Sequence, residues 1–171
     1  MNKIDQLLTN FGAYADAVNW LGTVDVELPS FEALTETIKG AGIAGEVNTP
    51  VKGHYGSQTL KLNWKTITPE SAQLAEPKVH TLDFRGNQQI FDPAQGYIDQ
   101  PAVVKTRCVP VNFNPGKFAV AASTETANEF EVHYIKIVIA NKTVIEYDKF
   151  NFVCVINGND VLADVRKNIG M

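Results

Sequence analysis

The segment Asn128–Phe152 constrains the fold more than any other part of the chain, because its apolar and polar residues alternate over an unusual length. Its first arm, NEFEVHYIKIVI, is twelve residues long and would extend about 40 Å at ~3.3 Å per residue, whereas a typical strand has roughly 5–6 residues. A turn at Asn141-Lys142 would bring back a second arm. The pattern predicts a long β-hairpin, and its exposed strand edges would need partners.

The apolar side of the first arm changes midway along its length. Alternate residues of a strand point to opposite faces of a sheet, so the apolar residues of one face should have either all even or all odd numbers. Here they change from even to odd numbers after three residues. The sequence therefore predicts a β-bulge or a strand that leaves one packing environment for another. The apolar residues are, in order, Phe130, Val132, Tyr134, Ile135, Ile137 and Ile139.

The second arm places two carboxylates on one strand face. Ile145 and Tyr147 alternate with Glu146 and Asp148, so the two acidic residues point to the same side. A catalytic carboxylate pair could have this spacing, but a solvated strand edge explains it equally well. We favour the second interpretation.

Several further segments have the composition and alternation of strands. In Gln58–Thr66, the apolar residues Leu60, Leu62 and Trp64 alternate with a polar face made of Thr59, Lys61, Asn63 and Lys65. The segment FEALTETIK at 31–39 is compatible with either a helix or a strand, and we interpret it as a strand. The other predicted strands are Thr23–Leu28, Val79–Arg85, Ala102–Val109 and residues 152–156, the last of which is apolar throughout and predicted to be buried on both faces.

Two short helices are predicted among these strands. Pro69–Ala75 has Thr68 as a candidate N-cap and proline at its first position. A C-terminal helix should begin at about Asp160, with Leu162, Val165 and Ile169 as its apolar stripe and Asn159 or Asp160 as its cap. The sequence therefore predicts a mainly β protein, a β-sandwich or barrel-like fold with one short internal helix and a C-terminal helix. At 171 residues it fits a single domain.

Residues 40–56, GAGIAGEVNTPVKGHYG, form a glycine-rich stretch that predicts a long loop. Long loops that persist in compact domains are usually functional or interfacial. Gly40–Gly45 also matches GxGxxG, the pattern of dinucleotide-binding loops. Such a loop must open a helix, and Pro50 leaves no room for one. The acidic residue expected about 20 positions later is absent, since that region is Leu60-Lys61-Leu62. We interpret the stretch as a mobile loop and predict no cofactor.

Composition and charge exclude several classes of protein. The formal net charge is −4, with 15 basic and 19 acidic residues, and no basic cluster suits tight wrapping of nucleic acid. Cys108 and Cys154 are far apart and are predicted to be buried thiols. The N-terminal residues lack the apolar core of a signal peptide, and no apolar stretch reaches the ~20 residues of a membrane span. We expect a protein made in a cytoplasm that does not bind membranes.

No motif indicates catalysis or metal binding. His54, His80 and His133 are isolated from other candidate ligands, so we interpret them as structural. The patterns GxSxG, HExxH and the P-loop do not occur. The sequence predicts a protein that is not an enzyme.

The chain resembles the major tail tube proteins of contractile-tailed bacteriophages. The resemblance is carried by FEALTETIKGAGIAGEVNTPVKGHYGS (31–57), LNWKTIT (62–68), HTLDFRGNQQIFD (80–92), NEFEVHYIKI (128–137) and the C-terminal NFVCVINGNDVLADVRKNIGM. These segments follow one order over nearly the whole chain. The opening dozen residues and the two cysteines are not part of the resemblance.

This resemblance implies a structural subunit that forms hexameric rings, which stack into the inner tube of a contractile tail and conduct DNA. The implied location is the virion, after assembly in the host cytoplasm. The implied partners are further copies of the chain, the tail sheath, baseplate and tube-terminator proteins, and double-stranded DNA that passes non-specifically. The loop expected to reach a neighbouring subunit or ring contains Gly40, Gly42, Ile43, Gly45, Glu46, Val47 and Pro50.

Two polar strand faces are candidates for lining the lumen of such a tube. One consists of Thr59, Lys61, Asn63 and Lys65, and the other of Glu146 and Asp148. Pairing of strand edges around a closed ring would remove their exposure, and a head-to-tail contact along the axis would give an open filament. Two alternatives remain: the inner tube of a contractile bacteriocin or injection particle without DNA, and a glycine-loop nucleotide-binding enzyme.

Overall fold

Strands dominate the architecture. The computed structural model describes residues 3–22 and 24–171 and is 60% strand and 7% helix. The helices are α1 (Pro69–Gln73) and α2 (Ala163–Ile169), so the predicted mainly β fold with an internal and a C-terminal helix is confirmed. The strands are β1 (Ile4–Ala15), β2 (Asn19–Trp20), β3 (Val24–Glu27), β4 (Ala33–Lys39), β5 (Glu46–Tyr55), β6 (Thr59–Trp64), β7 (His80–Asp92), β8 (Gly96–Asn114), β9 (Thr126–Ile139), β10 (Lys142–Asp148), β11 (Val153–Ile156) and β12 (Asn159–Asp160).

Ten of the described strands belong to one antiparallel sheet that branches at β9. One edge of β9 pairs with β8 along nearly its whole length. The other edge pairs with β6 over Thr126–Glu131 and with β10 over Tyr134–Ile139. The long first strand of the predicted hairpin therefore lies in two packing environments, as the switch of its apolar residues from one face to the other indicated.

A β-bulge lies where β9 changes partners. Val132 pairs with Cys108 and Tyr134 pairs with Arg107, so His133 is an extra residue without a counterpart in β8. Val132 is buried before the bulge and Ile135 is buried after it. The bulge shifts the alternation by one residue and keeps both halves of β9 facing the core, which confirms the sequence prediction.

The core lies against β6, whose predicted apolar face is confirmed: Leu60, Leu62 and Trp64 are buried. Asn128 is also buried and joins three elements. Its Oδ1 accepts a hydrogen bond from Nε1 of Trp64 at 2.8 Å, and its Nδ2 donates to the carbonyl of Ser71 at 3.0 Å. This polar group is satisfied on both sides, which is the condition for burying an amide in a core.

Helix α1 begins at Pro69 with Thr68 as its N-cap, as predicted, and ends at Gln73, two residues before the predicted end at Ala75. The hydroxyl of Thr68 accepts a hydrogen bond from the Ser71 backbone N–H at 3.1 Å, and the Ser71 hydroxyl accepts one from the Thr68 N–H at 3.1 Å. Pro69 occupies the first turn. This reciprocal capping satisfies backbone donors that a helix of only five residues leaves without partners.

The sheet curves without closing. Its main body follows the order β3-β6-β9-β8-β7-β1, with β3 and β1 at opposite ends, and the strands do not form a closed barrel. Near Ala13, the gap between the ends is bridged by β2 and by a hydrogen bond from the Leu21 N–H to the Ala13 carbonyl at 2.9 Å. No helix in the described part of the chain combines the length and apolarity needed to cross a membrane.

The prediction of a loop over residues 40–56 is wrong for most of this range. Residues 46–55 form β5, which pairs with β4 from Lys39–Glu46 to Ala33–Tyr55, and only residues 40–45 form a turn. The strand interpretation of 31–39 is confirmed by β4. Cross-strand pairing overrides the low strand propensity of glycine and proline. Pro50 is tolerated because β4 and β5, among the strands that the structure describes, pair only with each other and are both edge strands.

Three other boundaries differ from the sequence predictions. Strands β7 and β8 extend beyond Val79–Arg85 and Ala102–Val109, because they pair as a continuous hairpin through the polar stretch Asn87–Gln89. The strand predicted at Thr23–Leu28 is present as β3, while Thr23 lies outside the described residues.

The C-terminal part also departs from the prediction. Asn159–Asp160 form β12, and α2 begins at Ala163 with Leu162 at its N-cap and no side-chain cap. Asp160 instead pairs with Arg166 and accepts the Leu162 N–H at 3.2 Å. Residues 152–156 are not buried on both faces: Cys154 is buried, but the others are half-buried because β11 lies near the edge of the sheet.

Candidate assembly surfaces

Strands β4 and β5 project from the rest of the chain as a two-stranded ribbon. We call residues 34–52 of this ribbon the arm, and each of its residues is exposed. Two-stranded hairpins are only marginally stable by themselves in water. An arm whose residues are all exposed is therefore a candidate for contact with another molecule.

The arm has one apolar and one polar face. Ile38 pairs directly with Val47, and alternation along each strand places Leu34 and Val51 on the same face. These four side chains are each between 44% and 49% exposed. The opposite face carries Thr35, Thr37, Lys39, Glu46, Asn48, Pro50 and Lys52. The four-residue spacing of Leu34 and Ile38 is the trace of this apolar face in the sequence, but the same spacing is compatible with a helix.

The residues predicted to form an assembly loop lie at the end of the arm. Gly40, Gly42, Ile43 and Gly45 form the turn, whereas Glu46, Val47 and Pro50 belong to β5. Gly42 has a φ of 95° and Gly45 one of 124°, values that side chains rarely allow. The GxGxxG pattern is thus followed by a strand, so its amides lack the helix N-terminus on which a bound pyrophosphate would rest.

An apolar cleft of about 360 Å³ lies between the two ends of the curved sheet. Sequence reasoning did not identify it, because its walls come from strands distant in the chain. Leu8 packs so closely over Gly86 that a Cβ there would lie 2.8 Å from Leu8 Cδ1. The cleft is lined by Leu8, Phe11, Val26, Leu28, Phe84, Gly86, Gln88, Ala102, Val104, Ile137 and Ile139.

The cleft exists because the sheet does not close between β1 and β3. Leu8 and Phe11 belong to β1 and Val26 to β3, with Leu28 just beyond it. Within residues 3–22 and 24–171, β3 pairs only with β6, and β1 pairs only with β7 except at Tyr14 and Ala15. The cleft is therefore bordered by two strand edges that lack a partner strand in this part of the described chain.

Most of the predicted lumen residues lie on one side of the sheet, the side that faces away from the core. We call this side, with Thr59, Lys61, Asn63 and Glu146, the polar face. Lys61 of β6 pairs with Glu129 of β9, and Glu146 of β10 pairs with Lys136 of β9. Glu129 and Lys136 both point away from the core, one before and one after the bulge. The structure therefore brings Thr59, Lys61 and Asn63 onto the same side as Glu146.

Cross-strand ion pairs balance the charges of the polar face. Lys61 Nζ lies 3.7 Å from a Glu129 oxygen, and Lys136 Nζ lies 3.1 Å from a Glu146 oxygen. Lys65 lies just beyond β6 and pairs with Asp25 at 3.5 Å. At these three positions a carboxylate lies beside each ammonium group, which reduces the local positive field.

Glu146 and Asp148 have different environments. Glu146 is half-buried and accepts a hydrogen bond from the Tyr134 hydroxyl at 2.9 Å. Burial, followed by this hydrogen bond, raises the pKa of Tyr134 to about 12.

Asp148 is only 7% exposed. Its carboxylate accepts the backbone N–H groups of Phe150 and Asn151, each at 3.0 Å, and lies 3.5 Å from Arg107. The side chain thus stabilises the turn after β10, and its burial favours this local role over a place in a lumen.

The two cysteines are free and buried, as predicted. Burial raises the pKa of the Cys108 thiol to about 12 and also raises that of Cys154. Within the described residues, no group of three or more His, Cys, Asp or Glu side chains is placed to hold a metal ion.

The fold is an open antiparallel sheet that leaves an amphipathic arm and an apolar cleft exposed. The family model described as phage tail tube protein FII matches residues 5–170, and the chain belongs to this family. Membership confirms the resemblance to phage tail tube proteins, which are structural rather than enzymatic, and implies self-association into a tube as part of a virion. No curated protein matches the chain closely enough to count as a relative.

Proposed function

We propose that this protein is the tail tube subunit of a contractile phage tail, in which single-domain copies form hexameric rings that stack and conduct DNA. Family membership supports the tube. The observation that carries the mode of assembly is the arm, since residues 34–52 are exposed throughout and one face of the arm presents Leu34, Ile38, Val47 and Val51. Burying that face against another copy would remove apolar surface from water, at about 25 cal/mol per Å².

The polar face is our candidate for the wall of the lumen. Its proposed members are Thr59, Lys61, Asn63, Lys65 and Glu146, with Asp148 behind the surface. Paired charges and a net charge of −4 suit a channel through which DNA passes without being held, because tight binding needs uncompensated Lys and Arg. The outer surface would contact the sheath, and the two ends of the tube would contact baseplate and terminator proteins.

Negative-stain electron microscopy of the purified protein tests the tube, and a pair of double variants tests the arm. Ile38→Asp/Val47→Asp places two charges on the apolar face, and we expect it to abolish rings and tubes. The matched control is Thr37→Asp/Asn48→Asp, the adjacent pair on the opposite face. Both variants should unfold at nearly the wild-type temperature, because substitutions on exposed surface usually change stability by about 0.5 kcal/mol or less.

Two results would contradict the proposal. Wild-type protein that stays monomeric at high concentration, including with its tail partners, would exclude the tube. Tubes of normal appearance from the Ile38→Asp/Val47→Asp variant would exclude the arm as an assembly element.

A further inference from the structure

The cleft is the second large apolar surface that the chain leaves open, and it has features that suit a β-strand as its occupant. The rims are formed by β1 at Leu8–Phe11 and by the end of β3, and neither edge pairs with a further strand in the described part of the chain. At this edge the Phe11 N–H donates to Oδ1 of Asn10 at 2.8 Å, a local bond that an incoming strand could replace. The floor is apolar, formed by side chains such as Phe84 and Ile137. An extended segment placed there could add main-chain hydrogen bonds to a rim while its alternate side chains fill the floor, as in β-strand addition.

We propose that the cleft receives the apolar face of the arm from a second copy of the chain. This inference rests on the proposed function and names the acceptor site for the arm. Both surfaces are apolar, and both are bordered by strand edges without a partner strand, since among the described strands β4 and β5 pair only with each other. Glu36 is the one acidic residue on the arm's apolar face, and Gln88 offers an amide donor in the cleft.

The arm and the cleft do not meet within one chain: the arm is exposed along its whole length, and none of its residues lines the cleft. An arm-into-cleft contact between copies is therefore head to tail, with different surfaces on the two sides. Contacts of this kind generate closed rings or open filaments, which agrees with the self-association into a tube that the family implies. The arm would complete the curved sheet where it fails to close.

Disulfide formation between two singly substituted chains tests this contact. One chain carries Val47→Cys or Val51→Cys on the arm, and the other carries Leu8→Cys or Leu28→Cys in the cleft. The two are mixed, allowed to assemble and treated with diamide, which oxidises two thiols to a disulfide. Because disulfides require Cβ atoms about 3.5–4.5 Å apart, a covalent dimer that contains one chain of each kind reports direct contact between the arm and the cleft. A dimer of two identical variants does not count, and the use of separate chains excludes an intrachain bond.

We expect covalent dimers from at least one of these pairs, and several-fold less from Asn48→Cys mixed with the same cleft variants. Asn48 adjoins Val47 but points to the opposite face of the arm. The native thiols Cys108 and Cys154 are buried and should not contribute.

A charge in the cleft provides a second readout that does not depend on register. Leu28→Asp should abolish tubes, whereas Val79→Asp, at an exposed position outside the cleft, should not. If wild-type tubes form but neither the crosslinks nor the loss of assembly is seen, the cleft is not the acceptor and the proposed function stands. If wild-type tubes do not form, the proposed function itself fails.

Discussion

Glu131 lies on the polar face, close to the point where β9 passes from β6 to β10. Its carboxylate accepts hydrogen bonds from the Ser57 hydroxyl at 2.5 Å, from Lys149 Nζ at 2.6 Å and from the Gln58 N–H at 3.3 Å. Partial burial acts to raise the pKa of Glu131, but these hydrogen bonds outweigh it and the pKa is lowered. This one side chain therefore ties β9 to the start of β6 and to the segment after β10.

Glu131 should make the stability of the protein depend on pH. Its folded pKa is below the ordinary value, so its contribution is fully present above about pH 4.3, the usual pKa of glutamate, and is lost as the pH falls through the folded value. We expect Glu131→Gln to lower the unfolding temperature at pH 7 and to lower it by less at pH 3. Differential scanning calorimetry at the two pH values measures this.

The control for that measurement is Glu125→Gln. Glu125 pairs with Lys117 at 3.1 Å, and both side chains are 65% exposed, so the pair should contribute little at either pH. An equal effect of Glu131→Gln at pH 7 and pH 3 would show that the carboxylate charge is not what stabilises this position.

At the scale of the element, β9 depends on the single extra residue His133. Removing it would reverse the alternation in one half of the strand. Either Phe130 and Val132 or Ile135 and Ile137 would then leave the core.

Deletion of His133 should therefore destabilise the fold strongly. Exposing two large apolar side chains costs about 1.5–3 kcal/mol each, a large share of the 5–15 kcal/mol that typically separates folded and unfolded states. We expect little soluble protein and a large shift in the denaturant midpoint. His133→Ala keeps the residue count and loses only the edge-to-face contact with Phe150, whose ring centroid is 5.0 Å away, so it should cost about 1 kcal/mol. Similar losses from both variants would argue against the bulge as the cause.

At the scale of the whole molecule, the proposed assembly joins apolar surfaces and leaves the balanced charges on another face. Raising NaCl from about 0.1 M to about 1 M shortens the Debye length from about 10 Å to 3 Å, which weakens exposed ion pairs but not apolar contacts. We therefore expect tubes to persist in 1 M NaCl, as measured by pelleting and electron microscopy. Dissociation at high salt, with reassembly on dilution of the salt, would show that ionic contacts hold the copies together.

Parts of this protein are determined by sequence alone, because they depend on residues two to four positions apart. The buried face of β6 follows from Leu60, Leu62 and Trp64, the start of α1 from Thr68 and Pro69, and the bulge from the change of parity along β9. In each case the local pattern indicates which side chains share a face or cap a helix, and this prediction does not depend on any contact between distant residues.

The tertiary structure decided what depends on residues far apart in the chain. Residues 46–55 became a strand because β4 supplied backbone partners, and the polar stretch Asn87–Gln89 stayed extended because β8 runs beside it. The environment of Asp148 came from a turn and from Arg107 on β8, two strands away in the sheet. The cleft arose because β1 and β3 stand at opposite ends of a sheet that does not close, and closure depends on long-range geometry that no local periodicity encodes.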